Sequence, residues 1–350
     1  MKGKRIILIG EVDSKRTEFF LKAADRQQVT MEFYPWSEWK NKDIEGGVVK
    51  IDPPSFHEYN ILSLPKRIQE YQEQLLELEE IGKKKETRFL NPPSGILQLL
   101  DKVACKETLQ EHHVAVTTMV AKNVNNYVEL KERMVEKRIR SVFLKPVYGS
   151  GAAGILALSI HPATGKVVAY TAACVEGDVL FQQKNIRKIT EEKEVETIVN
   201  AITSLDTIVE RWYPKATIGG EPFDFRVLWQ FGHMEYMVAR KSASPITNLH
   251  LNNGAVPLEE VLKSEEAWNQ GDIRMDMERV CEETMALFPN VQVAGIDVML
   301  DKKTGKPRII EINGQGDLLY QDIYGENIIY RNQILNIASR IIEEKVNTDF

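Results

Sequence analysis

The chain has few cysteines, no long apolar run and no excess of positive charge. Its three cysteines, Cys105, Cys174 and Cys281, stand far apart and without CxxC spacing. They suggest neither a disulfide framework nor a structural zinc site, and a reducing cytoplasm fits them. No stretch of about 18 apolar residues occurs, which argues against a membrane span. The amino-terminal MKGKRIILIG has too short an apolar run for a signal peptide. A net charge of -6 argues against a general nucleic-acid or acidic-membrane binder and points to small molecules or peptides as partners. There is no internal repeat and no low-complexity tail. With 43% hydrophobic and 27% charged residues, the 350-residue chain has the composition of a soluble globular protein with room for two or three domains.

Several familiar signatures are missing as well. The first apolar run, KRIILIG, ends in a single glycine, far short of the GxGxxG of a dinucleotide site. No GK[ST] ending marks a Walker A loop, and no Ser-His-Asp set is evident. His112 and His113 are neighbours at a helix end, so they do not face the same way, and capping the last carbonyls is use enough for them.

What the chain does have is concentrated in two stretches. The first is 291–317, VQVAGIDVMLDKKTGKPRIIEINGQGD, where two runs rich in Val and Ile flank the turn-forming DKKTGK. A hairpin symmetric about Thr304 pairs residues whose numbers sum to 608: Gly295 with Asn313, Asp297 with Glu311, Leu300 with Arg308. Alternation along a strand then projects Asp297, Glu311 and Asn313 to one side and Ile296, Ile310 and Ile312 to the other. Two carboxylates and an amide on rigid strands suit a hard cation such as Mg2+ that keeps positions for phosphate oxygens. The competing reading is a solvated hairpin with an acidic outer face.

The second stretch is 141–155, SVFLKPVYGSGAAGI, an apolar strand that delivers Lys145 followed by a loop with Gly149, Gly151 and Gly154. Such a loop offers backbone N–H groups to phosphates, and the lysine adds a point charge. The alternative is a structural bend. The rest reads as an α/β opening, a charged amphipathic helix stopped by Gly82, and one helix over 95–111 leading to an extended segment near Val114–Thr118. Strand-like runs to about 190 follow, then a helix over 191–206, a further hairpin, a polar loop at SPITNLHLNNGA, and helices over 274–288 and 328–345.

With the ligand hairpin, the lysine with its glycine-rich loop and the intervening strands in this order, the sequence resembles the ATP-grasp superfamily of carboxylate-amine ligases. It is similar to enzymes of the glutathione synthetase and ribosomal-protein-glutamate-ligase type. The similarity spans most of the chain, is specific from about 101 to 317, and before that implies only an α/β pre-ATP-grasp domain. GIDVML with IIEIN looks like the family's metal pair, which implies Asp297, Glu311 and Asn313 as ligands of Mg2+ (or Mn2+) bridging ATP phosphates. LKPVYGSGAAGI resembles the phosphate-covering loop of a mobile lid, with Lys145, Gly149, Ser150 and Gly151 at the phosphates. DKVACKETLQEHHVAV resembles the helix entering the lid and puts Lys102 near the nucleotide. TIVERWYPKA looks like the hinge strand that reads adenine, with Glu210 and the backbone near Arg211 and Trp212 along its edge. FDFRVL is similar to the strand whose acid, Asp224, lies near the nucleotide while Arg226 faces the reacting phosphoryl group. PITNLH resembles the loop that supplies an asparagine, Asn248, beside the triphosphate.

After the ligand strand many relatives have a Pro-Gly turn, whereas this chain has Gly314, Gln315, Gly316 and Asp317. The identity of the substrate therefore does not transfer. The resemblance implies an α/β fold with an α+β lid: a pre-ATP-grasp domain at 1–100 and an ATP-grasp domain at 101–350, its lid at about 115–190. The expected activity is ATP-dependent joining of a carboxylate, small or peptide-borne, to an amine through an acyl phosphate, with Arg226 and Lys145 acting on the reacting group. A phosphotransferase, a nucleotide-binding regulatory module and a homodimer are left open.

Overall fold

Apolar strands fall into three sheets. The structure, a computed structural model, describes residues 5–55, 60–149, 151–263, 272–316 and 319–348. Ser150 and Asp317, both considered above, lie outside the described residues. The first sheet is parallel, in the order β2(Met31–Pro35), β1(Ile6–Gly10), β3(Val48–Ile51), β4(Arg88–Phe89). All five residues of β1 are buried, as a strand flanked on both edges and covered on both faces must be. Helices α1(Lys15–Arg26) and α2(Leu64–Lys84) pack against it.

Two helix ends differ from expectation. Gly82 does not stop α2, which runs on to Lys84. A Cβ at position 82 would sit 2.5 Å from the Phe89 ring, so the glycine serves close packing, and Glu86 takes the left-handed turn instead. The single helix expected over 95–111 is two, α3(Pro93–Leu100) and α4(Lys102–Glu111). Asp101 breaks them apart: extended in backbone, it accepts bonds from the N–H groups of Val103 and Ala104 at 2.9 and 3.0 Å and so caps α4.

The second sheet runs β5(Met119–Lys122), β10(Thr207–Arg211), β6(Ser141–Pro146), β7(Leu156–Ile160), β8(Val167–Glu176), β9(Val179–Ile189). Helices α5(Tyr127–Glu136) and α6(Glu192–Ile202) cover one face through Leu130, Val195 and Ile198. The last strand in sequence, β10, lies inside this sheet, antiparallel to both neighbours.

The third sheet is antiparallel, in the order β14(Gly254–Val256), β13(His233–Lys241), β12(Glu221–Gln230), β15(Val293–Leu300), β16(Pro307–Asn313), with β11(Thr217–Ile218) paired to β12. Alternation divides its faces. Phe225 and Val227 of β12, Ala239 of β13, and Ile296 and Val298 of β15 enter an apolar core with Met277 and Val280 of α8(Ile273–Met285). Of their chain neighbours on the other face, Asp224, Arg226, Arg240 and Asp297 line a cavity, while Leu228 and Val238 enter a further core. Helix α7(Leu258–Leu262) packs at β13. Helices α9(Tyr320–Ile323) and α10(Ile328–Thr348) follow, and Ile329 and Ile334 of α10 close a further core with Phe20. Among the described residues no helix is long and apolar enough to cross a membrane.

The β15–β16 hairpin keeps the expected register only in part. Gly295 opposes Asn313 and Asp297 opposes Glu311, but a bulge then shifts the ladder, so Leu300 opposes Pro307 and not Arg308. The extra residue is Ile310, which lines the cavity described below and does not join Ile296 and Ile312 in the core. The shift lets Ile309 pair with the extended segment Ala115–Thr117 through bonds of 2.7 and 2.9 Å. That segment continues into the second sheet, where Thr118 accepts from the Arg211 N–H at 2.9 Å. The second and third sheets are thus joined along one edge.

Candidate active site

Between the second and third sheets lies a cavity, partly open to solvent. Its floor follows from strand register. Arg240 on β13 opposes Asp224 on β12, Arg226 on β12 opposes Asp297 on β15, and Asp297 opposes Glu311 on β16. Four adjacent strands therefore lay down a row of charged side chains on the face away from the α8 core, two arginines among three carboxylates. Arg240 Nε donates to Asp224 Oδ1 at 2.8 Å, and its Nη2 lies 3.1 Å from Asp297 Oδ1. Arg226 Nε lies 2.8 Å from the same oxygen, and its Nη2 donates to Oδ2 at 3.3 Å. Gly295 leaves room for this arginine: a Cβ there would sit 2.8 Å from Arg226 Nη1.

The far side of Asp224 is held by the Thr247 hydroxyl and by Lys215 Nζ at 2.9 Å, which also donates to the Thr247 hydroxyl at 2.6 Å. Burial alone would raise the Asp224 carboxyl, but Arg240 and Lys215 outweigh it and keep it below the usual range. Asp297 goes the other way. Its burial, helped by Asp224 and Glu311, exceeds the pull of Arg226 and Arg240, so its carboxyl is raised. An added cation at Asp297 would relieve that.

A second cluster forms the wall of β6 and β10. Glu210 is buried, with one oxygen 3.1 Å from Lys145 Nζ and the other 3.0 Å from Lys106 Nζ. The Thr117 hydroxyl donates to it at 2.7 Å. Despite burial, Lys106 and Lys145 hold the Glu210 carboxyl at about 2. Burial works against the Lys145 ammonium, but Glu210 and then Glu311 keep it raised, so it enters the cavity charged.

The loop after β6 is the roof. Lys102 at the start of α4 donates to the carbonyls of Val147 and Gly149 at 3.3 and 2.8 Å and lies 3.8 Å from Glu311. The Tyr148 hydroxyl donates to the helix cap Asp101 at 3.2 Å. The cavity also has an apolar and aromatic part of its lining, with Phe143, Met299, Ile310 and Tyr213. The Tyr213 ring meets the guanidinium of Arg308 at 4.3 Å and that of Arg211 at 5.2 Å.

Of the residues singled out from sequence, Lys102, Lys145, Gly149, Gly151, Glu210, Arg211, Asp224, Arg226, Asn248, Asp297, Glu311 and Asn313 line this one cavity. Trp212 does not. Its ring packs at 5.6 Å from Phe143 and 6.3 Å from Tyr170, in a cluster with Ile246 and Leu251 behind the 245–251 loop. The N–H groups of Arg211 and Trp212 are also taken, by Thr118 and Ser141 carbonyls, because β10 is an interior strand. Sequence reasoning missed Lys106, Thr117, Tyr213, Lys215, Arg240 and Thr247. Two of these had a signal: Lys106 is one turn after Lys102, and hairpin register about Gly232 would have placed Arg240 opposite Asp224.

Asp297, Glu311 and Asn313 fit a divalent cation. All three line the cavity, and the Asn313 amide nitrogen is turned to the Gly295 carbonyl at 3.3 Å, so its oxygen is the end left for a cation. A set of two carboxylates and one amide leaves positions for further oxygen ligands, as Mg2+ requires.

A family model described as YheC/D-like ATP-grasp matches residues 88–334. The chain belongs to this ATP-grasp family. Solved structures share its fold. The ATP-grasp chain superposes on D-cycloserine synthetase DcsG with a TM-score of 0.59 at 14% identity, covering 96% of this chain and 99% of that one. For D-alanine–D-alanine ligase from Bacillus anthracis the values are 0.57 and 12%, covering 99% and 98%. For the ATP-grasp ligase PsnB, complexed with a variant of its minimal precursor, Mg and ADP, they are 0.55 and 10%, covering 97% and 98%. The comparison with curated proteins finds no match.

Proposed function

We propose that this chain is an ATP-dependent ligase that joins a carboxylate to an amine through an acyl phosphate. The observation that carries the reading is the charged row Arg240, Asp224, Arg226, Asp297 and Glu311 lining one cavity with Lys145 and Lys102. Phosphoryl transfer needs positioning and charge neutralisation more than a dedicated nucleophile, and this is what the cavity provides.

In this reading the apolar lining at Tyr213, Met299 and Ile310 takes the base, and Lys145, Lys102 and the backbone of Gly149 and Gly151 take the phosphates, with Asn248 beside them. Asp297, Glu311 and Asn313 would hold Mg2+ (or Mn2+), which when bound neutralises phosphate charge. Arg226 faces the transferring group. A substrate carboxylate oxygen bonds to the γ-phosphorus as the bond to ADP breaks. The amine nitrogen then attacks the acyl carbon, inorganic phosphate leaves with the electron pair, and the nitrogen loses a proton. Residues 1–100 would form the pre-ATP-grasp unit and 101–350 the ATP-grasp domain. PsnB is named with a precursor peptide and D-alanine–D-alanine ligase with a small amino acid, so both carboxylate classes belong in a substrate screen.

The test is ADP release against amino acids, small diacids and peptides, with hydroxylamine replacing the amine. A hydroxamate of the carboxylate substrate is expected. A stable phosphoester without hydroxamate would make the protein a phosphotransferase, and binding of nucleotide without turnover on any substrate would make it a regulatory module.

A further inference from the structure

Asn91 does not line the cavity, yet its side chain is one of the most fully bonded in the protein. It is 6% exposed, on the segment between β4 and α3. Its Nδ2 donates to the carbonyls of Val293 and Gly314 at 2.6 and 2.7 Å. Its Oδ1 accepts from the N–H groups of Gln292 and Val293 at 2.8 and 3.0 Å. A carboxamide has two donor hydrogens and two acceptor lone pairs, so all four positions are used, and all on backbone.

The two ends that Asn91 joins are those of the β15–β16 hairpin. Val293 opens β15, and Gly314 follows Asn313, the last residue of β16. The ladder between these strands finishes at Gly295 and Asn313. Among the described residues the ladder has no rung beyond that pair, and the Asn91 carboxamide takes its place. The position is set from the other side as well: Leu90 N–H donates to Val49 O at 2.9 Å, and two prolines follow. Gly314 is pressed against Leu99 of α3, whose side chain a Cβ would meet at 3.1 Å. The next residue is tied too, since Arg16 donates to the Gln315 carbonyl at 3.1 Å and Gln315 Nε2 to the Ile51 carbonyl at 3.0 Å.

We propose that Asn91 is a positioning residue for the metal site, clasping the open end of the β15–β16 hairpin so that Asn313 stays beside Asp297 and Glu311. The proposal rests on the assignment of these three residues as metal ligands. It gives the amino-terminal segment a part in the reaction: it completes the hairpin whose side chains would hold the cation. Partners that orient metal ligands are worth roughly ten- to a hundredfold in metal affinity where they have been removed.

The test uses the full chain with Mn2+ and the non-hydrolysable nucleotide AMP-PNP. Free Mn2+ is followed by electron paramagnetic resonance, and AMP-PNP binding in EDTA is measured separately. Asn91→Ser removes the clasp, and Gly314→Ala displaces the same carbonyl by crowding Leu99. Each is expected to weaken Mn2+ binding about tenfold, with metal-free AMP-PNP affinity and circular dichroism unchanged. Should Asn91→Ser fail to fold, Gly314→Ala decides. A folded variant that binds Mn2+ as the wild type does overturns the clasp while leaving the metal site standing. A wild-type protein that binds no Mn2+ with AMP-PNP overturns the ligand assignment and the clasp with it.

Discussion

Lys106 and Lys145 hold opposite oxygens of one buried carboxylate, Glu210, at 3.0 and 3.1 Å. Lys145 reaches the cavity and Lys106 does not. One lysine therefore fixes the carboxylate, and the carboxylate aims the other lysine.

The first prediction follows from the sign of the Glu210 shift. Its folded value of about 2 lies below the unfolded value of about 4.3. The stabilisation it gives is fully present above about pH 5 and is lost as pH falls through 4.3 towards 2. Glu210→Gln leaves two buried ammonium groups poorly matched and should cost about 3–5 kcal/mol at neutral pH. Urea unfolding at fixed pH should show the gap between wild type and variant constant from pH 8 to 5 and shrinking below 4. A gap that stays constant down to pH 3 would sink the assignment.

Lys145→Met should fold, because Lys106 still neutralises Glu210. It should lose most of the nucleotide-induced rise in melting temperature. For the wild type at a hundred times Kd, Mg-ATP should add about 2.7 kcal/mol. Equal shifts in the two proteins would place the phosphates elsewhere.

Asp297 and Glu311 should part company in stability while agreeing in activity. Both charge removals, Asp297→Asn and Glu311→Gln, should lower turnover on the order of a hundredfold or more. Glu311 is half-buried, with Lys102 at 3.8 Å, so Glu311→Gln should unfold within about 1 kcal/mol of wild type. Asp297 is buried, and its burial together with Asp224 and Glu311 outweighs the two guanidinium groups beside it, so removing the charge in Asp297→Asn should raise stability at neutral pH. Denaturation curves and ADP-release rates on the same samples decide both points.

Lys102 ties the Val147 and Gly149 carbonyls to α4. Lys102→Met should therefore speed amide exchange around 147–154 in the free protein, and saturating Mg-ATP should slow exchange there in the wild type. Identical exchange in all three samples would make the glycine loop a structural bend.

Much of this was legible in the chain. IILIG announced a buried parallel strand, and the alternation in GIDVML and IIEIN put Asp297 opposite Glu311. Periodicity and turn chemistry are local properties, and they survive into the fold because each strand has one face to bury. The bulge at Ile310 was not legible. It goes with a bond from Ile309 to Ala115, nearly 200 residues earlier, and no local pattern carries that contact.

The same limit governs the site. Sequence alone determined most element types, the hairpin that pairs Asp297 with Glu311, the lysine with its glycine-rich loop, and through them the family. It could not show that Trp212 turns to Phe143 and Tyr170 while Tyr213 enters the cavity, since both lie just past the end of β10, where strand alternation no longer sets the side. Nor could it show that Lys106 spends its charge on Glu210, or that Arg240 bridges Asp224 and Asp297. Those pairings join strands and helices distant in sequence. They are decided by which charges burial brings within a few ångströms, where an unpaired ion costs too much to leave alone.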